Sequence, residues 1–208
     1  YEFFRIEGMQ QYKPGTYQVE GDWSGGAFLL VAGAINGSLK INGLSNLSSQ
    51  SDKAVLKALK DAGADLKISE NSIEISKSTL KAFEFDATDS PDLFPPLVAL
   101  ASYCTGVSSI KGVSRLLYKE SNRANALSEE FGKMNIKTEI RDDCFYVTGG
   151  KVKGARVNSH EDHRIAMAAA IAALGADGTV YIKDSHCVAK SFPEFFDDIK
   201  KAGATVHA

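Results

Sequence analysis

The chain has 208 residues, with 24 Lys+Arg against 26 Asp+Glu for a net charge of −2, and it is 44% hydrophobic and 24% charged. This near-balance excludes a nucleic-acid binder working through bulk positive charge, and the hydrophobic content excludes a disordered chain. No segment reaches the roughly 18 uninterrupted apolar residues of a membrane helix, so no membrane partner is expected.

In chain order, Tyr1-Glu2-Phe3-Phe4-Arg5-Ile6 reads as the middle of a strand, and with no Met at its start the chain reads as a piece of a longer protein. No basic region followed by an apolar run marks a signal peptide. Asp22-Trp23-Ser24-Gly25-Gly26 then opens an apolar stretch running to Ile35. Ser90-Pro91-Asp92 opens a second, to Tyr103, and Glu161-Asp162-His163-Arg164 a third, to Leu174. Each begins with an acid suited to a helix N-terminus, and each is apolar on more than one face, as a helix buried on most sides is.

A turn and an alternating run follow each stretch: Gly37–Ile41, Gly106–Ile110 and Gly178–Ile182, read as strands with one buried face. The three glycines fall 69 and 72 residues apart. Amphipathic helices come next, over Asp52–Ala62, Arg123–Met134 and Pro193–Ala202. Each ends at a tripeptide centred on Gly63, Asn135 or Gly203, the residue types a left-handed C-cap prefers. Strand pairs follow in the first two units, Asp65–Ser69 with Ser72–Ser76 and Lys137–Arg141 with Cys144–Thr148, turning at Glu70-Asn71 and Asp142-Asp143.

The whole is one α/β domain built from nearly three copies of a unit of about 70 residues, roughly 15–80, 81–150 and 151–208. Buried inner helices with outward sheets are expected, adjacent units sharing a covered sheet. Around a pseudo-threefold axis, the three inner-helix N-termini would converge on one face as an anion site.

Polar residues beyond what the repeat needs gather at loop-to-helix corners. Lys119-Glu120-Ser121-Asn122-Arg123 reads either as a solvated surface with an i,i+3 pair or as part of a site. Arg164 stands at the end of a helix dipole that disfavours cations, a local rule broken. Lys190 lies just before an outer helix, at the corner that matches Lys119 and Arg123. Asp92 reads most simply as a helix cap, and alternatively as a general base. Four cations, with Asp92, Glu120 and His163, suit a ligand carrying more than one anionic group, such as a phosphate plus a carboxylate. His160 and His163 form an HxxH, but no third ligand at a recognised spacing supports a metal. Cys104, Cys144 and Cys187 form no CxxC and cannot all pair, which argues for thiols in a reducing cytoplasm. Walker, dinucleotide GxGxxG and GxSxG motifs are absent.

Five segments in register, Glu20-Gly21-Asp22-Trp23-Ser24, Ser90-Pro91-Asp92, Lys119-Glu120-Ser121-Asn122-Arg123, Asp162-His163-Arg164-Ile165-Ala166-Met167 and Ala189-Lys190-Ser191-Phe192-Pro193, resemble the EPSP synthases (3-phosphoshikimate 1-carboxyvinyltransferases). The resemblance implies a fold of two domains, each of three βαβαββ units, this chain being the C-terminal one. It implies transfer of the carboxyvinyl group of phosphoenolpyruvate to the 5-hydroxyl of shikimate 3-phosphate, with release of phosphate and no metal or organic cofactor. By position, Asp92 would be the base and Glu120 the acid. Lys119 would hold shikimate 3-phosphate, and Arg123, Arg164 and Lys190 the phosphoenolpyruvate, with Asp162 and His163 in support. The family often has Thr-Asp where this chain has Ser121 and Asn122, Arg at Leu117 and Asn at Arg115, so substrate contacts from that strand differ. The missing N-terminal domain would carry the remaining grip on both substrates. The UDP-N-acetylglucosamine enolpyruvyl transferases are a rival within enzymes, and a non-catalytic clamp-like repeat module is a rival outside them.

Overall fold

The computed structural model describes residues 2–207. Tyr1 lies outside them, and the expected strand at the start does not form: residues 2–22 hold no strand, and their apolar side chains, among them Phe3, Ile6 and Tyr17, stand exposed. The alternation is present, but within the described residues no neighbouring strand satisfies its backbone.

The first unit runs α1 (Trp23–Asn36), β1 (Ser38–Asn42), α2 (Val55–Asp61), β2 (Asp65–Ile68) and β3 (Ser72–Ser76). The strands form a three-stranded antiparallel sheet in the order β1-β3-β2. Ile73 and Ile75 of the central strand are buried beneath α1. Gly33 lets the helix come this close, since a Cβ there would lie 2.5 Å from the Ile75 side chain.

The second unit runs β4 (Glu84–Asp86), a 3-10 turn at Pro91–Leu93, α3 (Phe94–Ala101), β5 (Val107–Lys111), α4 (Arg123–Lys133), β6 (Lys137–Arg141) and β7 (Cys144–Thr148). Its sheet has the order β4-β5-β7-β6. The β6–β7 hairpin has the expected bounds, and Asp142 and Asp143 turn it with φ of 51° and 60°, the left-handed pair of a type I′ turn. The third unit runs β8 (Arg156–Asn158), α5 (His163–Ala173), β9 (Tyr181–Lys183) and α6 (Phe195–Lys201). Strand β9 begins only at Tyr181, and residues 205–206 form no strand.

One expectation is corrected: among the described residues the sheets are not shared, each belonging to one unit. Short leading strands, β4 and β8, precede the inner helices of the second and third units, as the βαβαββ unit implied by the resemblance requires, and pair parallel with β5 and β9. A strand–helix–strand crossover brings its two strands side by side, so the leading strand pairs within its own unit. At three residues each, these strands are too short to show alternation.

The three outer helices close as their sequences predict, with Gly63, Asn135 and Gly203 at φ of 83°, 67° and 103°. The inner helices α1, α3 and α5 pack against one another in all three pairings and are buried over most of their length, which is the pseudo-threefold core. At one pole their C-terminal ends are tied together, the Tyr103 hydroxyl to the Ala172 carbonyl and Asn36 Nδ2 to the Leu174 carbonyl at 2.6 Å. Their N-termini meet at the other pole. Among the described residues, no helix is long and apolar enough to cross a membrane.

Candidate active site

At the N-terminal pole, Asp22 caps α1 by accepting from the amides of Ser24 and Gly25, and Asp162 caps α5 by accepting from that of Arg164. Asp92 caps nothing, contrary to its simplest reading. It lies in the 3-10 turn that leads into α3, where Pro91 fixes the backbone and Leu93 bonds back to the Ser90 carbonyl. Its carboxylate is therefore free to turn toward cations of its own unit and of the third. Lys119 Nζ reaches Oδ1 at 3.2 Å, Arg123 Nη1 the same oxygen at 2.7 Å, and Arg164 Nη2 reaches Oδ2 at 3.2 Å.

Arg123, the first residue of α4, is the centre of this arrangement. Beyond Asp92, its Nε donates to Asp162 at 2.7 Å and its Nη2 to Glu120 at 2.5 Å. Glu120 in turn accepts from Lys190 at 3.0 Å, across from the loop before α6. The corners of units two and three thus form one network of alternating charge. Asp162 is wholly buried and Arg123 nearly so, whereas Lys119, Glu120 and Asp92 are half-buried and Lys190 faces outward. Arg123 therefore sits behind the more exposed edge of the network, which Lys119, Arg164 and Lys190 form. His163 is buried beside them, 4.0 Å from Asp162, and its Nδ1 has no hydrogen-bond partner among the described residues.

The family model for EPSP synthase (3-phosphoshikimate 1-carboxyvinyltransferase) matches residues 1–199. The chain belongs to the EPSP synthase family. A 3-phosphoshikimate 1-carboxyvinyltransferase of Thermococcus kodakarensis is 40% identical over 200 residues, covering 96% of this chain and 50% of the relative. One from Clostridium acetobutylicum is 40% identical over 208 residues, covering 100% and 48%. The solved EPSP synthase of Acinetobacter baumannii superposes with a TM-score of 0.82 at 30% identity, over 91% of this chain and 47% of that one. The enolpyruvyl transferase NikO of Streptomyces tendae shares the fold, with a TM-score of 0.69 at 20% identity. The chain thus spans about half the length of the relatives it matches.

The charge network sets the protonation states of the site. Burial raises the proton affinity of Glu120, but its own backbone N–H, Lys190 and Arg123 outweigh that and hold its carboxyl at about 2. Burial also works upward on Asp92, where Arg164, Arg123 and Lys119 prevail and keep it below the usual carboxylate range. His163 is pushed down by burial and by Arg164, which favours the neutral imidazole.

Two residues that differ from the usual family pattern keep local roles. Ser121 donates to Asp162 at 3.0 Å, and Asn122 caps α4 by accepting from the Asn125 amide. Arg115 and Leu117 are exposed and enter none of the site's hydrogen bonds. Sequence reasoning missed Asp52, buried beside the α1 N-terminus with the Ser24 hydroxyl donating to it. Burial raises its proton affinity, and Asp92 and Asp22 add to this. It also missed Glu130, a wholly buried carboxylate on α4. In each case the signal was an acid at a helix position whose neighbours are apolar.

Proposed function

We propose that this chain is the C-terminal half of a two-domain enolpyruvyl transferase that joins phosphoenolpyruvate to the 5-hydroxyl of shikimate 3-phosphate, in the cytoplasm, on the route to aromatic amino acids. The observation that carries this reading is the network of Lys119, Arg123, Arg164 and Lys190 around Asp92 and Glu120, at the pole where three helix N-termini meet in an EPSP synthase fold. A phosphate and a carboxylate suit three cations at the edge of the network, backed by helix dipoles.

In the proposed reaction the Glu120 carboxyl gives its proton to the methylene carbon of phosphoenolpyruvate. The neighbouring carbon becomes cationic, the 5-hydroxyl oxygen bonds to it, and Asp92 takes the hydroxyl proton. In the second stage the new methyl group loses a proton to one of the two carboxylates, and as it does so the C–H electron pair becomes the carbon–carbon double bond. The carbon–oxygen bond to phosphate breaks in the same step, and phosphate leaves with that bond's electron pair. Arg164 and Lys190 stabilise the charge that develops on it.

The free site holds Glu120 ionised, so the acid must be armed by the ligand. Anionic ligand groups at Lys190 and Arg164 draw these cations away from Glu120 and Asp92. A carboxylate left beside a bound anion then gains proton affinity. The outward position of Lys190 suits this exchange of partners.

The remaining grip on the substrates is assigned to the half not contained here. The exposed apolar segment of residues 2–19 fits an element whose packing partners lie in that half. The test is phosphate release from phosphoenolpyruvate and shikimate 3-phosphate, by the intact protein and by this 208-residue chain. Release by the intact protein alone is expected. Turnover with UDP-N-acetylglucosamine in place of shikimate 3-phosphate would overturn the acceptor, and turnover by the isolated chain would overturn the missing half.

A further inference from the structure

Helix α4 grips the segment before α5 at two places. Arg123, at its first residue, holds Asp162, while Glu130, two turns later on the same face, holds the stretch just upstream. The Glu130 side chain has no solvent exposure, yet its carboxylate is surrounded by donors. Oε2 accepts from the Asn158 amide at 2.9 Å, Oε1 lies 2.6 Å from His160 Nε2, and Lys133 Nζ reaches both oxygens at 2.8 and 2.9 Å.

Between these two grips the backbone takes an unfavourable path. His160 and Glu161 have φ of 53° and 56°, the left-handed region that non-glycine residues avoid. Short bonds hold the path: the His160 amide to Asn158 Oδ1 at 2.9 Å, the Glu161 amide to Ser159 Oγ at 3.1 Å, and the Asp162 amide to the Ser159 carbonyl at 3.0 Å. The next residues are His163 and Arg164, so the strained corner aims the cation that meets Asp92.

Stability alone does not call for a charge in this place, since buried ionic groups are often matched by well-packed apolar ones. Nor is a metal needed to explain it. Glu129, Glu130 and His160 bring ligand atoms within 4.8 Å of one another, but the Lys133 ammonium already bonds to both glutamates.

We propose that Glu130, acting through Asn158 and His160, is the positioning residue that sets the Asp162-His163-Arg164 corner and so fixes Arg164 for binding phosphoenolpyruvate. This rests on the transferase reading above, and its test has one readout that does not. In the intact protein, Glu130→Ala is expected to raise KM for phosphoenolpyruvate about tenfold, while KM for shikimate 3-phosphate and kcat change less than about threefold. Glu130→Gln keeps an oxygen for the Asn158 amide and should recover most of the loss. His160→Ala leaves the Asn158 and Lys133 bonds in place and should show the same selectivity more weakly, which keeps the test open if Glu130→Ala fails to fold.

The second readout is amide hydrogen exchange. Exchange at His160, Glu161 and Asp162 should quicken at least about tenfold in Glu130→Ala and much less in Glu130→Gln, with β5–β7 unchanged. Both KM values rising together, exchange quickening throughout the chain, or no change in either measurement would each overturn the proposal. If the unsubstituted protein transfers nothing, the transferase reading fails and local exchange alone decides whether Glu130 sets the corner.

Discussion

Arg123 Nε donates to Asp162 Oδ2 at 2.7 Å, joining the second and third units, with the two side chains 1% and 0% exposed. The same guanidinium reaches Asp92 and Glu120, so one side chain holds three carboxylates from three segments. An arginine suits this place because its planar fork offers five donors in fixed directions, whereas a lysine offers one point of charge.

Arg123→Ala should therefore lower unfolding stability by about 3–5 kcal/mol, since it leaves Asp162 charged, buried and short of its strongest donors. Urea unfolding measures this. A loss below about 1 kcal/mol would mean that Asp162 is satisfied by Ser121 and the α5 N-terminus without the arginine.

Glu120 gives a pH dependence of definite sign. The folded chain holds its carboxyl at about 2, against 4.5 for an unperturbed glutamate. Its contribution to stability is thus complete above about 4.5 and is lost as pH falls toward 2. Glu120→Gln should flatten the decline in stability across that window. In the intact protein the same change should cut turnover by about 100-fold or more with little change in affinity, as loss of an acid–base group does. Retained turnover would remove Glu120 as the acid.

Asp52 has the opposite sign. Burial, with Asp92 and Asp22 nearby, makes its folded carboxyl hold a proton more tightly than the unfolded one, so its ionisation near neutral pH weakens the fold. Asp52→Asn keeps an oxygen for the Ser24 hydroxyl and removes the charge. The variant should melt higher than the parent at pH 7, with the gap closing as pH is lowered. A lower melting temperature at pH 7 would show that Asp52 is needed as a carboxylate.

The repeat was legible because its signals are local. A cap acid, a buried helix, an alternating strand and a left-handed C-cap each leave a mark within a few residues, and Asn135 could be read as the counterpart of Gly63 and Gly203. The cation corners were legible for the same reason. Arg123 was placed correctly in the chain, but its burial was not, because that depends on Asp162 arriving from 39 residues away. Glu130 and Asp52 were missed on the same ground: in sequence each is an acid on an amphipathic helix, and only packing against elements distant in the chain buries it, the segment before α5 for Glu130 and the start of α1 for Asp52. The leading strands β4 and β8 left too little pattern to read.

Gly149 and Gly132 separate space from conformational freedom. A Cβ on Gly149 would lie 1.7 Å from the Cys104 carbonyl oxygen, and that neighbour is backbone, which cannot swing aside. Gly132, inside α4, has nothing within 4 Å of the same position. Gly132→Ala should thus gain about 0.5–1 kcal/mol through helix propensity and a more restricted unfolded chain. Gly149→Ala should lose more than about 2 kcal/mol, because the loop after β7 must move away from the end of α3. Thermal unfolding of the two single variants and of the double variant measures both effects, with no shared partner to couple them. If Gly149→Ala is neutral, the close approach of this loop to Cys104 is not a feature of the folded chain.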